Sequence, residues 1–291
     1  MNVSTRFHRI SALATLCLSL VACGGGGSGG SAPATTPLPP TAPTAYVPDL
    51  RSFAVAWTSL VISEFALDVL HISAETGNCG VSGSTSYDVG SVKQTLSLCV
   101  TKSSPASAYT GQWSATSSVS GSLKTVTMSS PAITVADATA PAQAQYAITA
   151  GNVSGVDDFS SSTADVYTAV GFSLDALVGP ANSSYRVGSN APGSASQSVQ
   201  NGVSTTLIKS AALGVSHAGN AWRYTVDNVR SVGDNRPDQG TIIVIDAAQP
   251  TTAATTITFG PGNSIVFASG GQSVSKGWAD ADVQAALIAS R

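Results

Sequence analysis

Residues 166–178 read VYTAVGFSLDALV. Val166, Val170, Phe172, Leu174, Ala176 and Val178 share one parity, and Thr168 is the only polar member. A period of two is the spacing of a strand with one buried face, because successive side chains leave a pleated chain on opposite sides. The same period recurs on both sides of this stretch. Leu96, Leu98 and Val100 alternate with Thr95, Ser97, Cys99 and Thr101. Trp222, Tyr224 and Val226 oppose Arg223, Thr225 and Asp227. Ile243 and Ile245 fall in TIIVIDA, which is apolar on both faces and reads as a central strand. Ile257 with Phe259, and Ile265 with Phe267, complete the set. Clusters such as GDNRPDQG and GPGN separate these runs and supply turns. The expectation is a mainly β protein: an antiparallel β-sheet or sandwich-like domain with one N-terminal helix and a short C-terminal helix.

Both helices have local signals. After Asp49, a residue suited to capping a helix, Leu50, Ala54, Trp57, Val61, Phe65 and Val69 recur at helical spacing, with Leu60 and Leu67 widening the stripe. This predicts a helix over residues 50–72, ended by Thr76-Gly77-Asn78. Ser52, Ser59, Ser63, Glu64 and Asp68 are scattered around it, which argues against a membrane span. A competing reading makes Phe53, Val55 and Trp57 a short strand. At the other end, WADADVQAALIAS predicts a terminal helix with Asp280 or Asp282 at its start and Val283 and Leu287 on one side.

Composition excludes several function classes. The chain has 291 residues, 13 Lys+Arg and 16 Asp+Glu, and only 10% of it is charged. Nucleic-acid binding needs a basic stripe to neutralise phosphates, and the sequence has none. A coiled coil is excluded by the scarcity of Glu. With 43% hydrophobic residues and a mean hydropathy of +0.19, charge-driven disorder is excluded as well. About a quarter of the residues are Ser or Thr.

The N-terminus carries an address. Arg6 and Arg9 precede a run from Ile10 to Val21 that is apolar apart from small hydroxyls and too short to span a bilayer. The run ends in Leu20-Val21-Ala22-Cys23. This resembles the lipobox of bacterial lipoproteins, in which an aliphatic residue and two small ones precede the cysteine. The resemblance covers the N-terminus only. It implies that residues 1–22 are a signal peptide, that Cys23 becomes the first residue, and that it carries a lipid on its sulfur and an acyl chain on its amine. Two or more chains hold a protein on a bilayer where one does not. Gly24 follows the cysteine where Asp would suggest inner-membrane retention, so the implied location is the outer membrane, with Cys23 as the membrane contact. Residues 24–45, GGGGSGGSAPATTPLPPTAPTA, form a Gly/Ser/Pro spacer able to hold a domain roughly 26 Å from its anchor. The formal GxSxG match at Gly26–Gly30 lies in this low-complexity run, where no strand precedes it. Residues 46–291 are then the β-rich domain, with candidate internal breaks near 151–163 or 179–202.

Cys79 and Cys99 are expected to form a disulfide, since a protein exported in this way matures where disulfides persist. A loop at Asp88-Val89-Gly90 would set them opposite each other on paired strands. That register puts Leu96 and Leu98 on the face away from the cysteines, and a bulge would repair the conflict.

The remaining polar constellations are weak. His71 ends the N-terminal helix, and His217 sits in the turn SHAGN. Ser216 adjoins His217, but neighbours on an extended chain point apart. Asp157-Asp158, Asp234 with Asp238, and Asp280 with Asp282 read as turn and cap residues. Neither zinc spacing nor an EF-hand order is present, so no metal, no cofactor and no catalytic residue is expected. The chain is similar to the small Ser/Thr-rich envelope lipoproteins of Gram-negative bacteria, which implies an outer-membrane-anchored, non-catalytic binding or structural domain. A membrane-tethered hydrolase of envelope or extracellular polymers and a surface adhesin are the alternatives.

Overall fold

The computed structural model describes residues 46–291 apart from 102–106, 161–163, 180–184, 202, 234–235, 249–253 and 290–291. The described residues, from Tyr46 onward, belong to one compact unit. The expected helix over 50–72 is present and bends once. α1 (Leu50–Ser59) and α2 (Val61–Ile72) meet at Leu60, which keeps helical dihedrals while its amide donates to the Trp57 carbonyl. The strand alternative for Phe53–Trp57 is thereby corrected. Asp49 caps α1 as expected: Oδ1 accepts from the Arg51 and Ser52 amides, each at 3.1 Å.

Fourteen strands follow: β1 (Gly77–Asn78), β2 (Ser82–Asp88), β3 (Lys93–Val100), β4 (Ser107–Ser120), β5 (Leu123–Asp137), β6 (Ala140–Asp158), β7 (Ala164–Val178), β8 (Tyr185–Gln200), β9 (Val203–His217), β10 (Asn220–Val232), β11 (Gln239–Asp246), β12 (Thr255–Gly260), β13 (Ser264–Ser269) and β14 (Gln272–Gly277). They form one antiparallel sheet in chain order, each strand pairing with the next. The sheet runs through both stretches where breaks were expected, with β6 crossing 151–158 and β8 filling 185–200. The chain closes with α3 (Ala281–Ala289), whose Val283 and Leu287 are buried.

The layer opposite the sheet is helical. α2 packs on β5 to β8, while α1 packs on β9, β11 and α3. The 23 residues from Leu50 to Ile72 are long and apolar enough to cross a bilayer, and most of that span is buried inside the protein. Aromatic rings lock the layers together. Phe53 meets Phe267 edge-on at 5.4 Å, Trp57 meets Trp278 at 5.1 Å, and Phe65 meets Trp113 at 6.1 Å.

Alternation places the strands as the sequence predicts, with three corrections. Trp222, Tyr224, Val226, Ile257, Phe259, Ile265 and Phe267 all face the core. In β11 the inward residues are Ile242 and Val244, whereas Ile243 is exposed; the strand is central, paired with β10 and β12. In β7, Phe172, Leu174, Ala176 and Val178 are buried but Val166 is exposed. The reason is a register shift between Val170 and Phe172 at Gly171, whose φ is 71°. One extra residue in a strand exchanges its faces.

The third correction concerns the cysteine hairpin. Asp88 pairs with Lys93, so residues 89–92 form the loop. Cys99 is on β3, whereas Cys79 lies in the connection between β1 and β2. The disulfide itself is formed, with Cα atoms 5.3 Å apart. A bulge lies between Leu96 and Cys99, and Leu98 there adopts φ 48°. It turns Leu98 outward and leaves Leu96 and Cys99 both buried. Gly83 is required beside it: at φ 76°, a Cβ on Gly83 would sit 2.0 Å from the Leu98 carbonyl oxygen.

Candidate functional site

The most concentrated polar chemistry among the described residues lies on α2. The helix is buried on nearly every side: Ile62, Ser63, Phe65 to Leu70, and Ile72 all are. Glu64, Asp68 and His71 recur at i, i+4 and i+7 and so share one stripe. Asp68 is buried, and the Tyr109 hydroxyl of β4 donates to its Oδ2. Thr101 donates to Oδ1 at 3.5 Å. Tyr109 has one proton and gives it to Asp68, so its oxygen accepts from Tyr146 of β6, to which it is hydrogen-bonded. Burial first, and then the charges of Glu64 and Asp68, hold the Tyr146 hydroxyl well above its ordinary range.

Glu64 differs from the rest of the helix. Its side chain is exposed although its helical neighbours are buried. Desolvation first, and then the Asp68 charge one turn away, push it up to about 7. Sequence reasoning read Glu64 and Asp68 only as polar residues that rule out a membrane span. Their i, i+4 spacing with His71 was the signal available for a shared stripe.

A second polar group lines a shallow recess at the β9–β10 turn: Arg186, Ser216, His217 and Asn220. Arg186 pairs with Ser216 across β8 and β9, and both are exposed. His217 instead stacks on Tyr185, with ring centroids 4.2 Å apart. Ser216 and His217 therefore leave the strand in different directions, as their adjacency requires.

The other residues singled out by sequence serve the backbone or pair with a neighbour. His71 ends α2. Asp157 and Asp158 close β6, where Asp158 Oδ1 accepts from the Ser160 amide at 2.9 Å. Asp238 binds Arg230 through two bonds of 3.0 and 2.8 Å, while Asp234 lies outside the described residues. Asp280 Oδ2 accepts from the Gly277 amide at 3.0 Å, and Asp282 pairs with Lys276 at 2.7 Å. Among the described residues, no group of three or more His, Cys, Asp or Glu is placed to hold a metal ion. Cys23 and the whole N-terminal segment lie outside the described residues.

No protein-family model, no curated protein and no solved structure matches this chain.

Proposed function

We propose that this chain is an outer-membrane lipoprotein, anchored through Cys23, whose β domain is a non-catalytic binding or structural module. The observation that carries the reading is the Cys79–Cys99 disulfide. A structural disulfide of this kind belongs to a protein that matures outside the cytoplasm, where thiols are not kept reduced. Two further features agree with it. The Gly/Ser/Pro spacer behind the LVAC motif ends directly before Tyr46, the first described residue of the compact unit. Asp158, Asp238, Asp280 and Asp282 are engaged in caps, turns and ion pairs.

Metabolic labelling with a fatty acid tests the anchor. Wild-type protein incorporates label and fractionates with outer membranes, and Cys23→Ala abolishes both. An unlabelled wild type, or label that persists in Cys23→Ala, overturns the anchor. A screen on ester, peptide and glycan substrates tests the second half of the reading. Turnover that disappears in His217→Ala or Glu64→Gln would replace it with the tethered hydrolase.

A further inference from the structure

The register of β8, β9 and β10 gathers two arginines on the outer face of the sheet. Arg186 pairs with Ser216, which pairs with Ala221. In the next outward row, Gly188 pairs with Gly214, which pairs with Arg223. Directly paired residues share a face, and the alternate positions, among them Tyr185, Val187, Val215 and Trp222, are buried, so both rows point outward. Arg186 and Arg223 stand two strands apart and one row out of step, roughly 12 Å between Cα atoms. The positions between them are small: Ser216, Gly214, Ala221 and Gly188. The Asn190 amide leans over Gly214, where a Cβ would come within 3.0 Å of its oxygen. The Asp175 carboxylate of β7 leans over Gly188, on the side away from Arg223. Other described arginines are engaged: Arg51 lies over the Trp222 ring, Arg236 over the Trp278 ring, and Arg230 grips Asp238. Arg186 and Arg223 are exposed, and among the described residues neither has an ion pair or a ring partner. Beside Arg186, the recess that Ser216, His217 and Asn220 also line has a volume of about 420 Å³.

We propose that Arg186, Arg223 and Ser216 form a binding site for a phosphate group on the outer face of β8 to β10. A guanidinium presents a planar fork of donors that matches the oxygens of a phosphate, and the Ser216 hydroxyl adds a donor between the two forks. A carboxylate has only two oxygens, which a single fork occupies. A phosphate monoester has a third terminal oxygen and so meets both forks and the hydroxyl at once. Glycine in the floor lets a ligand approach the strands closely. The two like charges repel in the free domain, and an anion placed between them removes that cost. Asp175 stands outside the pair, so the ligand enters from the β10 side. A free phosphate ion and a phosphate-bearing lipid head group present the same terminal oxygens. The site gives the binding module a ligand class and does not depend on the anchor at Cys23.

Titration of the wild-type chain with sodium phosphate, followed through the arginine Nε–Hε NMR signals, tests the site. The Arg186 and Arg223 signals are expected to shift with one common midpoint, and to stay in place in sodium chloride of equal ionic strength. Arg186→Gln and Arg223→Gln are each expected to raise the midpoint by about tenfold, the loss of one charge-assisted contact. Lys209→Gln, on β9 but outside the patch, leaves the midpoint unchanged. Equal shifts in chloride, different midpoints for the two arginines, an undiminished response in either arginine variant, or an equal loss in Lys209→Gln overturns the proposal. The same titration with dihexanoyl phosphatidate, a soluble lipid with the same terminal oxygens, separates the two sources. A midpoint about tenfold below that of inorganic phosphate assigns the site to a lipid head group, and an equal or higher one assigns it to free phosphate.

Discussion

The Tyr109 hydroxyl donates its proton to the Asp68 carboxylate across 41 residues of chain, inside the core where both side chains are buried. This contact ties α2 to β4, and through the Tyr146 hydroxyl to β6. Tyr109→Phe keeps the ring against Phe65 but removes a donor from a buried acceptor. The expected loss is about 1–3 kcal/mol, measured as a lower urea midpoint with an unchanged slope. A midpoint equal to the wild type's would show that Asp68 does not depend on Tyr109.

Replacing Cys79 and Cys99 together by Ala releases a crosslink between residues 20 apart in sequence. On the chain-entropy model the expected cost is about 3 kcal/mol. Denaturant unfolding of the double variant against the oxidised wild type measures it. Peptide mapping without reductant checks the bond directly, and two free thiols in exported protein would refute it.

Gly193 of β8 is held by volume rather than by backbone angle. A Cβ there would lie 2.2 Å from Cζ of Phe172, whose ring occupies the space. Gly193→Ala is expected to cost about 1–3 kcal/mol through overpacking. Phe172→Leu added to it should recover part of that loss, so the two substitutions will be non-additive in thermal or urea unfolding. Simple additivity would show that the two residues do not compete for one volume.

Arg230 reaches Asp238 with both a 3.0 Å and a 2.8 Å bond, and those bonds, followed by its charge, hold the Asp238 carboxyl below its ordinary range. A lowered carboxyl supports the folded state above the ordinary value and loses that support as pH falls through the lowered one. Both side chains are substantially exposed, so the pair is expected to weaken with added salt. In an NMR titration, Arg230→Gln should move the Asp238 midpoint upward. An unmoved midpoint would assign the lowering to another cause.

The sequence by itself determined the classes of element and their local ends. Alternation marked the strands, a 3.6-residue period marked the bent helix and the terminal one, Asp49 announced its own cap, and the two cysteines of the domain named their bond. Each of these signals lies within a few residues, or follows from the small number of possible partners. Only the tertiary structure decided which faces meet. A single added residue at Gly171 turned Val166 outward, and the bulge at Leu98 brought Cys99 to the same side as Leu96, because one residue exchanges the two faces of a strand. The pairing of Asp68 with Tyr109 and the volume that Phe172 takes from Gly193 depend on registers summed across several strands. No local pattern carries that sum, since every bulge along the way resets it.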